Sequence, residues 1–361
     1  MKKTLIGSLL LLILLPVWAQ KRNDPEKFRL IHSDKLYMSK LDSGQILELN
    51  GNVHFYYGDT QFKSDRALIL DGPKIARLSG RVAVSNDSLN LVADSLAYYR
   101  IPQILNLGGR VRITQTTAEG NTRWYQGDYG IYDQAKDTFT TWSNVRAYDQ
   151  QENAQSSCGY AFWDRRAGYS YLIESPVVSA GTTDILTVKA DKMEFFEQER
   201  KLIATFNVDV RSGEYHATSD FLIYFSEEEK AVFIGEPRFD NPFANAEAKE
   251  FQIWFKDRKP TQAVLMDSCY VRFSSKEDLP RTNWVKAQNV ILNFTGDEIR
   301  DFTAENEVSY YFVQDQEGDK DYFINTATGE YLEAKFSEDN ELQIMNMRGG
   351  IKGSYKFKND S

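Results

Sequence analysis

Cysteine is almost missing from this chain: Cys158 and Cys269 are the only two among 361 residues, so no disulfide framework staples a small loop-rich fold. Histidine is as scarce. His32, His54 and His216 lie far apart without metal-ligand spacing, and no serine, the run Ser156-Ser157-Cys158-Gly159 included, has a histidine partner for nucleophilic catalysis. Basic charge is also short, with 43 lysines and arginines against 52 acidic residues and a formal charge of −9. Such a surface repels phosphate instead of neutralising it, which argues against nucleic-acid binding. No segment keeps a helical period, and the longest apolar run, Leu5 to Val17, has 13 residues where a membrane-spanning helix needs about 20.

What is present is enough apolar material for a core, 42% hydrophobic and 13% aromatic, and too much for intrinsic disorder. The chain opens with Met1-Lys2-Lys3, the apolar run and Pro16-Val17-Trp18-Ala19, the parts of a cleavable secretory signal with the cut expected between Ala19 and Gln20. No cysteine follows that cut, which argues against a lipid anchor there. Removing the leader takes away Lys2 and Lys3 and leaves 41 basic residues against 52 acidic ones. Export is expected.

One sentence is then repeated along the chain. A small residue, a spacer and a valine recur as Gly51-Asn52-Val53, Gly80-Arg81-Val82, Gly109-Arg110-Val111 and Ser143-Asn144-Val145, then at Val177, Val208, Pro237, Val271, Val308 and Ile351, with steps of 29 to 43 residues. Aspartates keep pace at Asp34, Asp65, Asp94, Asp128, Asp191 and Asp220, and Asp65 to Val82, Asp94 to Val111, Asp128 to Val145 and Asp191 to Val208 are each 17 apart. Loops vary while a strand pair stays constant, as in a stacked repeat. Cys158 falls in the fifth rung and Cys269 in the eighth, about 14 Å apart at ~4.8 Å per rung. A bridge needs Cα atoms within ~7 Å, so no intramolecular disulfide is expected.

Around each valine the residues alternate in period two. Leu47, Leu49, Gly51, Val53 and Phe55 face one way, and Leu78, Val82, Val84, Leu107, Val111, Ile113, Val145, Phe206, Val208, Val210, Phe233, Phe239, Val271 and Phe273 repeat the row. In the strands after each aspartate both faces are apolar, so periodicity assigns no inward side. The glycine or serine before the valine has two readings, space left between two sheets or a bulge in the strand.

Small-spacer-valine followed by an Asp-led strand with a later tyrosine, as in Leu107-Gly108-Gly109-Arg110-Val111 and Val92-Ala93-Asp94-Ser95-Leu96-Ala97-Tyr98, resembles the organic-solvent-tolerance (OstA-like, LptA) family of periplasmic lipopolysaccharide-transport proteins. The resemblance implies an all-β fold, an elongated open β-jellyroll of stacked two-strand rungs. It divides the chain into a signal peptide at 1–19, N-terminal repeats at 20–150, continuing repeats at 151–280 and divergent rungs or a cap at 281–361. It also implies a lipid-binding bridge to the outer membrane in Gram-negative bacteria, shielding acyl chains of lipopolysaccharide in an apolar groove. On that reading Leu49, Val53, Phe55, Leu78, Val82, Val84, Leu107, Val111, Ile113, Val145, Phe206, Val208, Val210, Phe233, Phe239, Val271 and Phe273 are groove candidates or simply core. Partners are other bridge proteins joined by edge-strand addition at both ends, or copies of this chain head to tail.

Outward Arg77, Arg81, Arg110, Arg112 and Arg146 are candidates for anionic head groups, or a solvated strand surface. No cofactor, metal or catalytic residue is expected. Glu227-Glu228-Glu229 reads as a solvated turn, and the aspartate ladder as hydrogen bonding at strand starts. The rival readings are an exported β-solenoid that binds polysaccharide or protein at the cell surface, with Trp124, Trp142 and Trp163 as platform candidates, and a polysaccharide-active enzyme that uses the aspartate ladder.

Overall fold

The computed structural model describes residues 28–358 apart from 43, 87–88, 117–119, 151–152, 183–184, 243, 257–258, 274–282, 297, 316–321 and 338–341; the expected leader and its cleavage point lie outside the described residues. Those residues are all-β, as expected, with 26 strands and no helix. In chain order the strands are β1 (Phe28–His32), β2 (Lys35–Leu41), β3 (Gly44–Tyr57), β4 (Thr60–Leu70), β5 (Ile75–Asn86), β6 (Leu89–Tyr99), β7 (Ile104–Thr116), β8 (Thr122–Asp133), β9 (Thr138–Asp149), β10 (Ala154–Asp164), β11 (Tyr169–Ile173) and β12 (Val177–Ala180). They continue as β13 (Leu186–Lys189), β14 (Lys192–Phe196), β15 (Lys201–Ser212), β16 (Tyr215–Phe225), β17 (Lys230–Ile234), β18 (Arg238–Asp240), β19 (Ala244–Glu247) and β20 (Glu250–Lys256). The last six are β21 (Lys259–Phe273), β22 (Asn283–Thr295), β23 (Glu298–Asp315), β24 (Tyr322–Phe336), β25 (Leu342–Arg348) and β26 (Lys352–Lys358).

The strands fall into two compact units, one within Leu11–Thr182 and Lys192–Gln198, the other within Thr183–Asp191 and Glu199–Ser361. In the first, β3 through β10 form an antiparallel meander. In the second, β15 pairs with β16 and β20 through β24 pair in succession, also antiparallel.

Each long strand turns a corner in its middle. Between Asn50↔Arg66 and Val53↔Ser64, two residues of β3, Gly51 and Asn52, stand against one of β4, Asp65. Both are left-handed, with φ of 79° and 47°, so the bulge bends the strand sharply. The same doublet recurs at Gly80-Arg81, Gly109-Arg110, Ser143-Asn144, Glu174-Ser175, Phe206-Asn207, Gly235-Glu236, Asp267-Ser268, Asn306-Glu307 and Gly349-Gly350. The small residue is therefore the bulge of the second reading and does not hold space between sheets. Where the bend breaks the ladder, a strand appears as two elements: β10 pairs with β11 through Tyr160–Asp164 and with β12 through Ala154–Ser157.

The corners correct the expected register in two places. The residue that follows the doublet, valine in the early rungs, is Pro176 and Cys269, where Val177 and Val271 were expected. Cys269 is buried in the valine place and Cys158 is half-buried; both are free thiols. Burial pushes them up to about 12 and about 11, so neither is a ready nucleophile.

Because the long strands bend, each of them gives half its length to one wall and half to the other. In the first unit one wall carries Leu49, Ala67, Leu78, Leu96 and Leu107 as successive cross-strand neighbours. The other carries Val53 beside Ser64, Phe55 beside Phe62, then Val84, Leu91 and Ile113 in succession. These side chains are buried, Leu49 and Phe55 completely. The walls meet on them: Phe62 of one packs against Tyr98 of the other with ring centroids 5.9 Å apart. This settles the inward side of the Asp-led strands, Ala67 and Ile69 after Asp65, Leu96 and Tyr98 after Asp94. Each large side chain buried this way contributes about 1.5–3 kcal/mol.

Candidate functional site

The aspartate ladder is spent on the corners. Asp34 accepts from Asn52 Nδ2 at 3.1 Å, Asp65 from Arg81 Nε at 2.8 Å, Asp94 from Arg110 Nη2 at 2.6 Å, Asp128 from Ser143 and Asn144 at 2.7 and 2.6 Å, and Asp191 from Asn207 at 2.9 Å. Hydrogen bonds from Arg81 and Arg110 hold the Asp65 and Asp94 carboxyls below the usual range. A Cβ on Gly51, Gly80 or Gly109 would overlap the facing aspartate, so glycine here answers both a positive φ and a close approach. Among the described residues no three His, Cys, Asp or Glu side chains gather as a metal site.

The five outward arginines do not converge. Arg81 and Arg110 are exposed but bound to their corner aspartates. Arg112 lies over the Trp124 ring at 4.5 Å, while Arg77 and Arg146 are exposed on their strands.

The groove candidates are interior side chains with one exception. Leu49, Val53, Phe55, Leu78, Val82, Val84, Leu107, Val111, Ile113 and Val145 are buried in the first unit, and Val208, Phe233 and Val271 in the second. Val210, Phe239 and Phe273 are half-buried. Phe206 is corrected: it takes the first left-handed place of its corner, φ 58°, and its side chain is 53% exposed against Phe221 outside. Strict alternation fails there because the bulge inserts an extra residue.

In the first unit the lining turns mixed past β7, where Phe139, Val145 and Ala154 stay buried beside polar groups. On β8 and β9 the inward residues include Arg123, Tyr125, Gly127, Thr141 and Asp149, and Arg123 stands directly opposite Asp149. Their Nε and Oδ2 are 2.8 Å apart, with side chains only 8% and 7% exposed. Tyr125 packs against Trp163 at 5.2 Å, and its buried hydroxyl has no hydrogen-bond partner among the described residues. Close by, Tyr132 donates to Asp137 at 2.9 Å, and Arg165 reaches the same carboxylate at 3.1 Å. Glu197, just past β14, completes the group. Burial pushes its carboxyl up to about 7, against the pull of Arg123 and Arg165. Neither the groove row nor the arginine row of the sequence named these residues.

Glu197 makes stability depend on pH. Between the ordinary glutamate value of 4.5 and about 7, the folded chain keeps a proton that the unfolded chain has released, so stability falls as pH rises through that window. Glu197→Gln should remove this fall and leave the protein about 1–2 kcal/mol more stable than the parent at pH 8, with no difference at pH 4. Urea melts at the two pH values check it; an equal gain at both would mean that packing, not ionisation, is responsible.

Two of the three tryptophans face outward. Trp142 stacks on Tyr129, which is 49% exposed, and the row continues across neighbouring strands through Tyr160, Phe162 and Tyr171. Trp124 lies outside beneath Arg112, whereas Trp163 is inside.

No family model matches this chain, and no curated protein matches it by sequence. Among solved structures it is similar to LptH, the LptA homologous periplasmic component of the conserved lipopolysaccharide transport device from Pseudomonas aeruginosa, at 9% identity over 46% of this chain and 76% of that one. The TM-score is 0.14, a value that carries no argument about this chain.

Proposed function

We propose that this chain is an exported, non-enzymatic carrier of acylated glycolipid, of the lipopolysaccharide class handled by the family its repeats resemble, working in the periplasm as part of a bridge to the outer membrane. The observation that carries the reading is the lining of the first unit from β3 to β7. There two walls face each other with apolar chemistry at every strand step, the hydroxyls being those of Ser64, Tyr57 and Tyr98. A twelve-carbon chain left in water costs about 10 kcal/mol at ~0.8 kcal/mol per methylene. Between the walls it would exchange one apolar contact for another. The lining is filled by its own side chains, so a lipid enters by parting the walls on the side away from the corners.

Exposed edge strands in each unit suit a bridge. In the first unit every residue of β2 is exposed, Met38 at 61%, and β2 pairs with β3 along its whole length; in the second unit Ile344 of β25 and Tyr355 of β26 are exposed. Exposed apolar edge strands invite strand addition.

Purification of the full chain from its native envelope, followed by lipid mass spectrometry, tests the reading. Acylated glycolipid in near-equimolar amount is expected, and lipid-free protein from several preparations would sink it. A second reading, an outer face that binds polysaccharide, draws on the row Tyr129, Trp142, Tyr160, Phe162 and Tyr171. Retention by immobilised polysaccharide that Trp142→Ala abolishes would favour it.

A further inference from the structure

The lining of the first unit changes character between β7 and β8, and this divides its interior. From β3 to β7 the inward residues are Leu, Val, Ile, Phe, Ala and Tyr with Ser64 among them; from β8 onward Phe139 and Val145 share the interior with the Arg123–Asp149 pair, the Tyr125 hydroxyl, Thr141 and Cys158, with Glu197 and Arg165 alongside. We propose that acyl chains are received only in the β3–β7 compartment and that the Arg123–Asp149 pair with Tyr125 is a polar stop that keeps them from advancing further within this unit. The inference rests on the carrier reading and deepens it by naming where the tails lie and which residues set the limit.

Entry has different costs on the two sides. In the β3–β7 compartment, parting the walls exchanges side-chain contacts for contacts with the lipid, both apolar, so the hydrophobic gain of the chain is kept. Past β7 the facing walls carry charge. The Arg123–Asp149 pair lies within one wall, Tyr125 of that wall meets Trp163 of the other, and Glu197 sits within the field of both Arg123 and Arg165. Parting the walls leaves the pair joined but bares it to the incoming chain, and a hydrocarbon tail offers desolvated charges nothing in return. The Tyr125 hydroxyl, buried without a hydrogen-bond partner among the described residues, adds to this, since a methylene packed on it seals off a group that water or a polar ligand would satisfy; the Tyr57 hydroxyl shares that condition on β3, four strand steps back from β7. The length of the compartment agrees. Four steps of ~4.8 Å from β3 to β7 make about 19 Å. An extended twelve-carbon chain spans roughly 13–14 Å at about 1.2 Å per bond.

The test uses the full chain carrying a photoreactive benzoylphenylalanine at Leu107 in the apolar compartment or at Ala147 beyond the stop, mixed with radiolabelled lipid A and irradiated. Labelling at Leu107 at least tenfold above that at Ala147 is expected. In the Arg123→Leu, Asp149→Leu background, labelling at Ala147 should rise at least fivefold. Tyr125→Phe, which removes only the hydroxyl, is the second variant should the double one not fold, and it should raise Ala147 labelling about threefold. Equal labelling of the two sites in the parent chain overturns the stop, as does a background change that leaves Ala147 dark. No labelling at either site overturns the carrier reading itself, so the two failures are told apart.

Discussion

Arg123→Leu with Asp149 left in place is expected to cost about 3–5 kcal/mol, because it strands a carboxylate that is only 7% exposed. The Asp149→Leu single variant should suffer similarly. Replacing both by leucine should recover most of the loss, since two desolvated charges give way to apolar groups of similar size on adjacent strands. Urea unfolding of the four proteins at one pH forms a double-mutant cycle, and a coupling below about 1 kcal/mol would show that the pair is solvated in solution and no barrier to lipid.

Phe55→Ala should be as damaging, at about 3–5 kcal/mol. Phe55 is fully buried, lies nearly parallel to Phe62 with centroids 5.2 Å apart, and touches Phe28 and Tyr57, so truncation leaves a cavity that three aromatic neighbours cannot close without leaving their rotamers. Phe206→Ala is the internal control. Its side chain is half outside at a corner, and the change should stay within about 0.5 kcal/mol. If the two substitutions cost the same in thermal or urea melts, the assignment of inside and outside from the corner geometry is wrong.

The corners explain why so much was legible in the sequence. A left-handed doublet facing an aspartate favours glycine in its first place, and that glycine repeats visibly at Gly51-Asn52, Gly80-Arg81 and Gly109-Arg110. The register slipped where the chain meets the same geometry with other residues. Asp267-Ser268 and Glu174-Ser175 adopt the doublet without glycine, so the eye settles on Val271 and Val177 while Cys269 and Pro176 hold the equivalent places. Phe206 misled for the same reason, standing where glycine stands elsewhere.

The polar stop was not legible. Arg123 and Tyr125 alternate with Trp124 and Gln126, so neither face of β8 looks more apolar, and the pairing of Arg123 with Asp149 depends on hairpin register. Glu197 follows the apolar Phe195-Phe196 in a turn, outside the repeated rows. An arginine and an aspartate at the outer ends of two consecutive strands are the only trace the sequence carries.

In the early rungs each bend is completed by a left-handed doublet and an aspartate on the neighbouring strand, Asp65 with Gly80-Arg81 or Asp94 with Gly109-Arg110, with no reliance on a distant segment. A gene for such a chain can gain or lose a whole repeat by unequal recombination, and the new copy arrives with everything it needs to turn. Selection can thereby adjust the number of repeats as a quantity in its own right, tuning reach while the residues that do the folding stay as they were.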